Sequence, residues 1–312
     1  MNRLVVIISI CFVPTAYSSE ADWCYNDPTC DDTTWPANFT HFCNGSRQSP
    51  INIVSAKAIG NVNLTSFNFT KYKDNSTINS LNNTGETVLV QLNSGVQISG
   101  GGLSEIYDSM QFHLHWGNGT SVPGSEHTVD GTRYPMEMHI VNTKAKYNRN
   151  ITAASADSTG IAALGFFIEA MPGNTTGSPA AWKALTSYLD NITLKANSVN
   201  ITSGFSLDDL LKGVNRTKYY RYLGSLTTPN CSEAVVWTVF KETIKVSKDL
   251  INLFSTRLHI EHNATSALMT NVYRKTQASN GRIVTTQATV SGVSKTSFSL
   301  GLMAWMLLML YC

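Results

Sequence analysis

Two short runs, Gln111-Phe112-His113-Leu114-His115-Trp116 and Glu137-Met138-His139-Ile140-Val141, bring together three imidazoles, an amide and a carboxylate. In an extended chain, residues two apart share a face. Gln111, His113 and His115 therefore project together, as do Glu137 and His139. Laid side by side, the two strands would converge three histidines, and three protein ligands with an open fourth position make up the donor set of a catalytic zinc site. Gln111 and Glu137 would then hold the far ring nitrogens of their histidines. Phe112, Leu114, Met138 and Ile140 point the other way. A plain core strand has no use for a Gln-His-His face, because buried polar groups cost free energy unless paired. Spacing alone leaves a metal site and a self-satisfied polar cluster both open; the metal reading implies a hydrolytic or hydrating zinc enzyme.

The elements that must position these residues are mostly strands. Runs at 87–92, 96–99, 110–116, 136–142, 160–168 and 235–240 read as β, and helical patterns are few. Residues 179–189 form one, with Trp182, Leu185 and Leu189 on a face. Residues 247–258 form another, capped by Ser247, with Leu250, Phe254 and Leu258 inward. The expected fold is mixed α/β but mainly β: one domain with a large, mostly antiparallel twisted sheet and short peripheral helices. The length suits a single large core, and no repeat or heptad interrupts it.

The two ends read differently. Met1-Asn2-Arg3 precedes an apolar run from Leu4 to Val13, and Ala16, Ser18 and Ser19 follow, the pattern of a secretory signal over 1–18. The catalytic domain is expected over 19–277 and a polar spacer over 278–297. The apolar tail at 298–312 is shorter than a bilayer span of roughly 20 residues. Small residue, spacer and tail together read as a glycosylphosphatidylinositol signal attached at Ser291, with Ser279 as the alternative. Of the six cysteines, Cys11 and Cys312 fall in these end segments. Cys24, Cys30, Cys43 and Cys231 remain for disulfides in an oxidising compartment, with three pairings open; Cys24–Cys30 with Cys43–Cys231 would staple the N-terminal arm to the body. Fourteen Asn-x-Ser/Thr acceptors lie between Asn38 and Asn263, which suits a secreted glycoprotein. The formal charge of +2 comes with no basic stripe, so nucleic-acid binding is not expected.

Longer motifs add a family. The two histidine runs, the segment from Gly124 to Gly131 (Gly-Ser-Glu-His-Thr-Val-Asp-Gly), Arg47-Gln48-Ser49-Pro50-Ile51-Asn52-Ile53 and Tyr222-Leu223-Gly224-Ser225-Leu226-Thr227-Thr228-Pro229 resemble the α-class carbonic anhydrases over roughly 22–277. Signal, cysteines and tail look most like the membrane-anchored type-four isozymes. The resemblance implies a twisted sheet of about ten strands and reversible hydration of carbon dioxide to bicarbonate and a proton, by attack of zinc-bound hydroxide. It implies zinc on His113, His115 and His139, steadied by Gln111 and Glu137. Thr227 would accept a hydrogen bond from the nucleophile and pass its own proton toward Glu126. Val141, Ala163, Leu226 and Trp237 would wall the carbon dioxide site, and Thr228 would lie beside the anion. His127 would be a buried structural histidine. The implied setting is the outer membrane leaflet, where a bicarbonate transporter would be a natural neighbour.

Three positions depart from the family pattern. The proton-shuttling histidine of efficient members is matched by Glu86, after one inserted residue. An ordinary glutamate titrates near ~4.3, against about 7 for zinc water in carbonic anhydrases generally, a poor match for proton relay. Slow turnover rescued by imidazole-type buffer is expected, with His41 a weak substitute. Ala163 replaces the usual valine and should widen the pocket toward small esters. Arg274 lacks a following proline. The alternative function is a weak or silent relative serving as a cell-surface binding module; retention of all three histidines, Thr227 and Glu126 argues against it.

Overall fold

The computed structural model describes residues 23–288 apart from 40, 41 and 203. The signal segment, His41, Ser291 and the apolar tail lie outside the described residues.

The strands are β1 (Asn52–Ile53), β2 (Ile59–Asn61), β3 (Phe67–Thr70), β4 (Ile78–Asn83), β5 (Val88–Leu92), β6 (Gln97–Gly100), β7 (Tyr107–Trp116) and β8 (Thr128–Val129). They continue as β9 (Met136–Lys144), β10 (Ile161–Ala170), β11 (Ser198–Asn200), β12 (Tyr219–Gly224), β13 (Val235–Phe240), β14 (Ile244–Val246) and β15 (Thr285–Gln287). Thirteen of them form one sheet, whose main path runs β11-β4-β5-β7-β9-β10-β13-β12-β15-β2. Most neighbours are antiparallel; β10 runs parallel to β13 and β14, and β15 parallel to β2. The expectation of a mostly antiparallel sheet in a mainly β domain is met, with parallel pairs at its far half.

The strands that carry the motifs are also the best formed. β7, β9 and β10 sit mid-sheet with a strand on either side; β9 and nearly all of β10 are buried on both faces, whereas β7 leaves Gln111 and His113 partly open to the cleft. Phe112, Leu114, Met138, Ile140, Ala162 and Leu164 enter the larger apolar core, and Val141, Ala163 and Trp237 a smaller one on the opposite face. Of the helices, α1 (Trp35–Asn38) sets Trp35 in a third cluster with Cys43 and Cys231, α2 (Ile151–Ser155) adds Ala154 to the smaller core, and α3 (Ala180–Thr186), α4 (Leu207–Leu210) and α5 (Lys248–Arg257) cover the larger one. Leu250, Phe254 and Leu258 turn inward as expected. Ser247 occupies the N-cap of α5, but its hydroxyl accepts from Ser178 N–H at 3.0 Å instead of from its own helix.

The sheet extends past the domain end expected at 277. β15 pairs with both β12 and β2, since extended Thr285-Thr286-Gln287 completes ladders that would otherwise be open. Residues 285–287, expected to lie in a polar spacer, are instead part of the sheet. Cys24–Cys30 and Cys43–Cys231 are bonded, the second tying the arm to the segment after β12. No helix among the described residues is long and apolar enough to cross a membrane.

Candidate active site

A one-residue irregularity in β7 sets the geometry. Ser109 pairs with Asn142, but after a register shift Gln111 pairs with Val141 and His113 faces His139 directly. Bulges of this kind re-aim side chains, and here the shift puts Gln111, His113 and His115 on the face that carries His139. Gly165 of β10 stands opposite His139. A Cβ there would come within 2.9 Å of Glu137 Oε1, so glycine leaves that carboxylate its place.

Each histidine donates one ring N–H to a fixed acceptor. His113 Nδ1 reaches Gln111 Oε1 at 3.0 Å, His115 Nδ1 the Val272 carbonyl at 2.9 Å, and His139 Nε2 Glu137 Oε1 at 2.8 Å. Glu137 also accepts from His127 Nδ1 at 2.7 Å and from the His127 backbone N–H at 2.8 Å. These bonds leave His113 Nε2, His115 Nε2 and His139 Nδ1 as lone pairs, gathered within 4.8 Å of one another. His115 Nε2 is buried with no hydrogen-bond partner among the described residues. An orphaned nitrogen lone pair beside two others is costly unless a cation meets it, and three imidazoles with a free position suit zinc. The residues fit the metal.

Electrostatics agrees with the ligand form. Burial first, then the neighbouring rings of His115 and His139, holds the His113 imidazole well below its ordinary value. Burial first and His139 next lower His115 to about 3. Burial would push the Glu137 carboxyl up, but the His127 and His139 rings beside it hold it well below the usual range. Glu126, wholly buried, is raised to about 7 by burial, against the opposing pull of His139, Thr227 and the Arg274 backbone N–H. That N–H donates to Glu126 Oε1 at 2.8 Å, while Oε2 lies 3.4 Å from His115 Nε2.

Above the nitrogens is a cavity of about 130 Å³ lined by Gln111, His113, His139, Val141, Ile151, Ile161, Ala163, Leu226, Thr227, Thr228 and Trp237. The residues expected to wall the substrate are thus brought together. Glu86 is not among them. It lines a separate cavity between the N-terminal arm and residues 260–272, and its carboxylate lies 3.6 Å from Lys195 Nζ. His127 is buried, donating to Glu137 and accepting from the Tyr222 hydroxyl at 2.6 Å. His259 is half-buried and bonded to the Ser266 carbonyl, where the chain folds back in a bridge to Leu268.

Sequence reasoning missed Val272, Tyr222, Ile151 and Ile161. The Val272 contribution is a backbone carbonyl, which no side-chain pattern announces. Tyr222 stood in a quoted motif, and the polar tip of a tyrosine, which seeks a partner when buried, was the available signal.

A mostly β single domain with three histidine nitrogens gathered at the foot of an apolar cleft has the make-up of a histidine-site metalloenzyme. Residues 30–288 match the family model of the eukaryotic-type carbonic anhydrases. The chain is 36% identical to carbonic anhydrase 4 of Oryctolagus cuniculus over 274 residues, 87% of this chain and 86% of that one. It is 34% identical to carbonic anhydrase 6 of Homo sapiens over 287 residues, 91% and 89% of the two chains. The chain belongs to the eukaryotic-type carbonic anhydrases, lyases of the carbonate dehydratase kind, and its histidine cluster could hold the zinc that such enzymes use.

Proposed function

We propose that this chain is an extracellular zinc enzyme hydrating carbon dioxide reversibly at His113, His115 and His139. The observation that carries the reading is the set of three lone-pair nitrogens, each with its opposite ring N–H pinned, at the foot of the apolar cavity. Zinc, when bound, supplies a Lewis acid that makes water nucleophilic at neutral pH. The chain's residues do the rest. Val141, Ala163, Leu226 and Trp237 hold a substrate that has almost nothing to hydrogen-bond. Thr227 accepts a hydrogen bond from the nucleophile at its hydroxyl oxygen while donating its own O–H to Glu126, which orients the attacking lone pair. Thr228 receives the bicarbonate beside it. Gln111, Glu137 and the Val272 carbonyl fix the ring tautomers.

Location follows from the chain ends and the cysteines. Two disulfides in the described residues suit an oxidising compartment. We place a lipid anchor at Ser291, because attachment at Ser279 would remove β15 from its two neighbours. The partners of this setting are the outer leaflet, carbon dioxide, bicarbonate and a neighbouring bicarbonate transporter. A glycan on Asn82, in β4 beside Leu89, would stand at the cleft mouth.

Stopped-flow hydration by the secreted domain, with zinc quantified and buffer concentration varied, tests the reading. Activity that tracks zinc content and rises with buffer is expected. Full zinc occupancy with no activity in any buffer would instead favour a silent binding module.

A further inference from the structure

We propose that the pocket floored by Arg221, on the sheet face turned away from the histidine centre, binds a small monovalent carboxylate-type anion. Strand alternation places it there: Tyr220 and Tyr222 of β12 join the smaller core beneath the cleft, and Arg221 and Leu223 point oppositely. Arg221 is only 8% exposed, and no carboxylate among the described residues lies within ion-pair distance of it. Its Nε and Nη2 donate to Thr238 Oγ1 at 3.1 and 2.9 Å, and Nη2 donates to the Gly101 carbonyl at 2.8 Å. The rings of Tyr219 and Phe67 lie at 5.6 and 5.8 Å.

The remaining nitrogen, Nη1, has no protein partner among the described residues, and Arg221 lines a pocket of about 350 Å³. Residues 100–102 are glycines with φ of 71°, 57° and 72°, and this turn brings the loop over the guanidinium without covering Nη1. Burial depresses the Arg221 guanidinium, and the groups that offset this are the Tyr219 and Tyr107 hydroxyls, not acids. A buried charge without a counter-charge is costly, and an anion at Nη1 removes that cost. Asn61, Asn63, Ser104 and Thr159 are polar members of the lining and Leu103, Leu223 and Val236 apolar ones, so the occupant has one negative charge and tolerates a short carbon body. A single uncompensated cation selects a monovalent anion over a divalent one. Organic carboxylates and bicarbonate share this chemistry.

The test follows the Arg221 Hε–Nε correlation of the zinc-loaded, arginine-labelled protein, assigned through Arg221→Lys, during titration with acetate, bicarbonate, sulfate and chloride at equal ionic strength. Reading Arg221 itself separates this pocket from anion binding at the histidine centre. A saturable shift with acetate or bicarbonate, weaker with sulfate, is expected, and Leu103→Trp, which fills the pocket and leaves Arg221 intact, should weaken it about tenfold. A larger response to acetate assigns the site to organic carboxylates, and one to bicarbonate assigns it to the reaction's own product. The proposal fails if the signal moves no more than with chloride, if sulfate binds tighter, or if Leu103→Trp leaves the titration unchanged. Should Arg221→Lys not fold, the resonance that Leu103→Trp perturbs most carries the assignment.

Discussion

At the histidine centre every ring nitrogen turned away from the gathered lone pairs is fixed to a buried or half-buried acceptor, whereas the carboxylate of Glu86, at the position where a shuttle histidine is expected, meets Lys195 alone among the described residues, at 3.6 Å with both side chains partly exposed. The first arrangement is over-determined: moving one ring breaks a buried hydrogen bond and orphans its partner, at a cost of about 1–3 kcal/mol. The second is loose, since exposed ion pairs contribute roughly 0–1 kcal/mol. The difference separates two jobs. Holding a nucleophile in place demands rigidity, while delivering a proton to solvent demands a group that can move and titrate near the working pH. On the function proposed above, this chain would keep the rigid half of the family's apparatus and alter the mobile half.

The comparison breaks most completely if a ligand can be lost without consequence. His139→Ala should drop zinc content and hydration to background together, and the loss of metal should lower the melting temperature, because a ligand that binds only the folded state stabilises it by mass action. Zinc retained at wild-type stoichiometry would mean that the histidines are a polar cluster and not the metal centre.

Next in size is the support behind the ligands. Gly165→Ala drives a methyl to 2.9 Å from Glu137 Oε1, an atom that cannot retreat because His127 and His139 both donate to it. Zinc affinity should fall about 10–100-fold, the usual effect of disturbing the partners of metal ligands. Competition with a chelator measures it, and an unaltered affinity would show the carboxylate to be less fixed than its bonds suggest. Glu86→His sharpens the other side: turnover at low buffer should rise by about tenfold or more, within the range of general acid–base effects, and converge with the parent at high imidazole. Its melting temperature should barely move, given the weak pair it breaks. A parent enzyme already fast and indifferent to buffer would show that another group carries the proton.

How much of this was legible follows the same division. β7 and β9 announced themselves because polar residues at period two sit among Phe112, Leu114, Met138 and Ile140, and the apolar wall was placed by motif likeness at the positions that line the cavity. β4 (Ile-Asn-Ser-Leu-Asn-Asn) and β15 (Thr-Thr-Gln) were not legible, because short polar strands gain their stability from neighbours and not from pattern. The third histidine support was hidden for a stronger reason. The Val272 carbonyl arrives 157 residues along the chain from His115, and only folding brings a backbone acceptor into view. The same holds for the Arg274 N–H that pins Glu126.

The smallest effect concerns shape alone. Ala163 lines the cavity opposite Val141 on β9 and beside Trp237 on β13, so its missing methyls widen the wall without touching any hydrogen bond at the centre. Ala163→Val should leave zinc affinity and the buffer dependence of hydration unchanged. It should lower hydrolysis of small esters relative to hydration by a few-fold, since one or two methyl groups in an apolar pocket are worth about 1–3 kcal/mol of discrimination at most. The ratio of the two activities, taken on one zinc-quantified preparation, is the readout. If it does not change, the width of the cavity at residue 163 does not set what the site accepts, and the wall formed by Leu226 and Trp237 must do so instead.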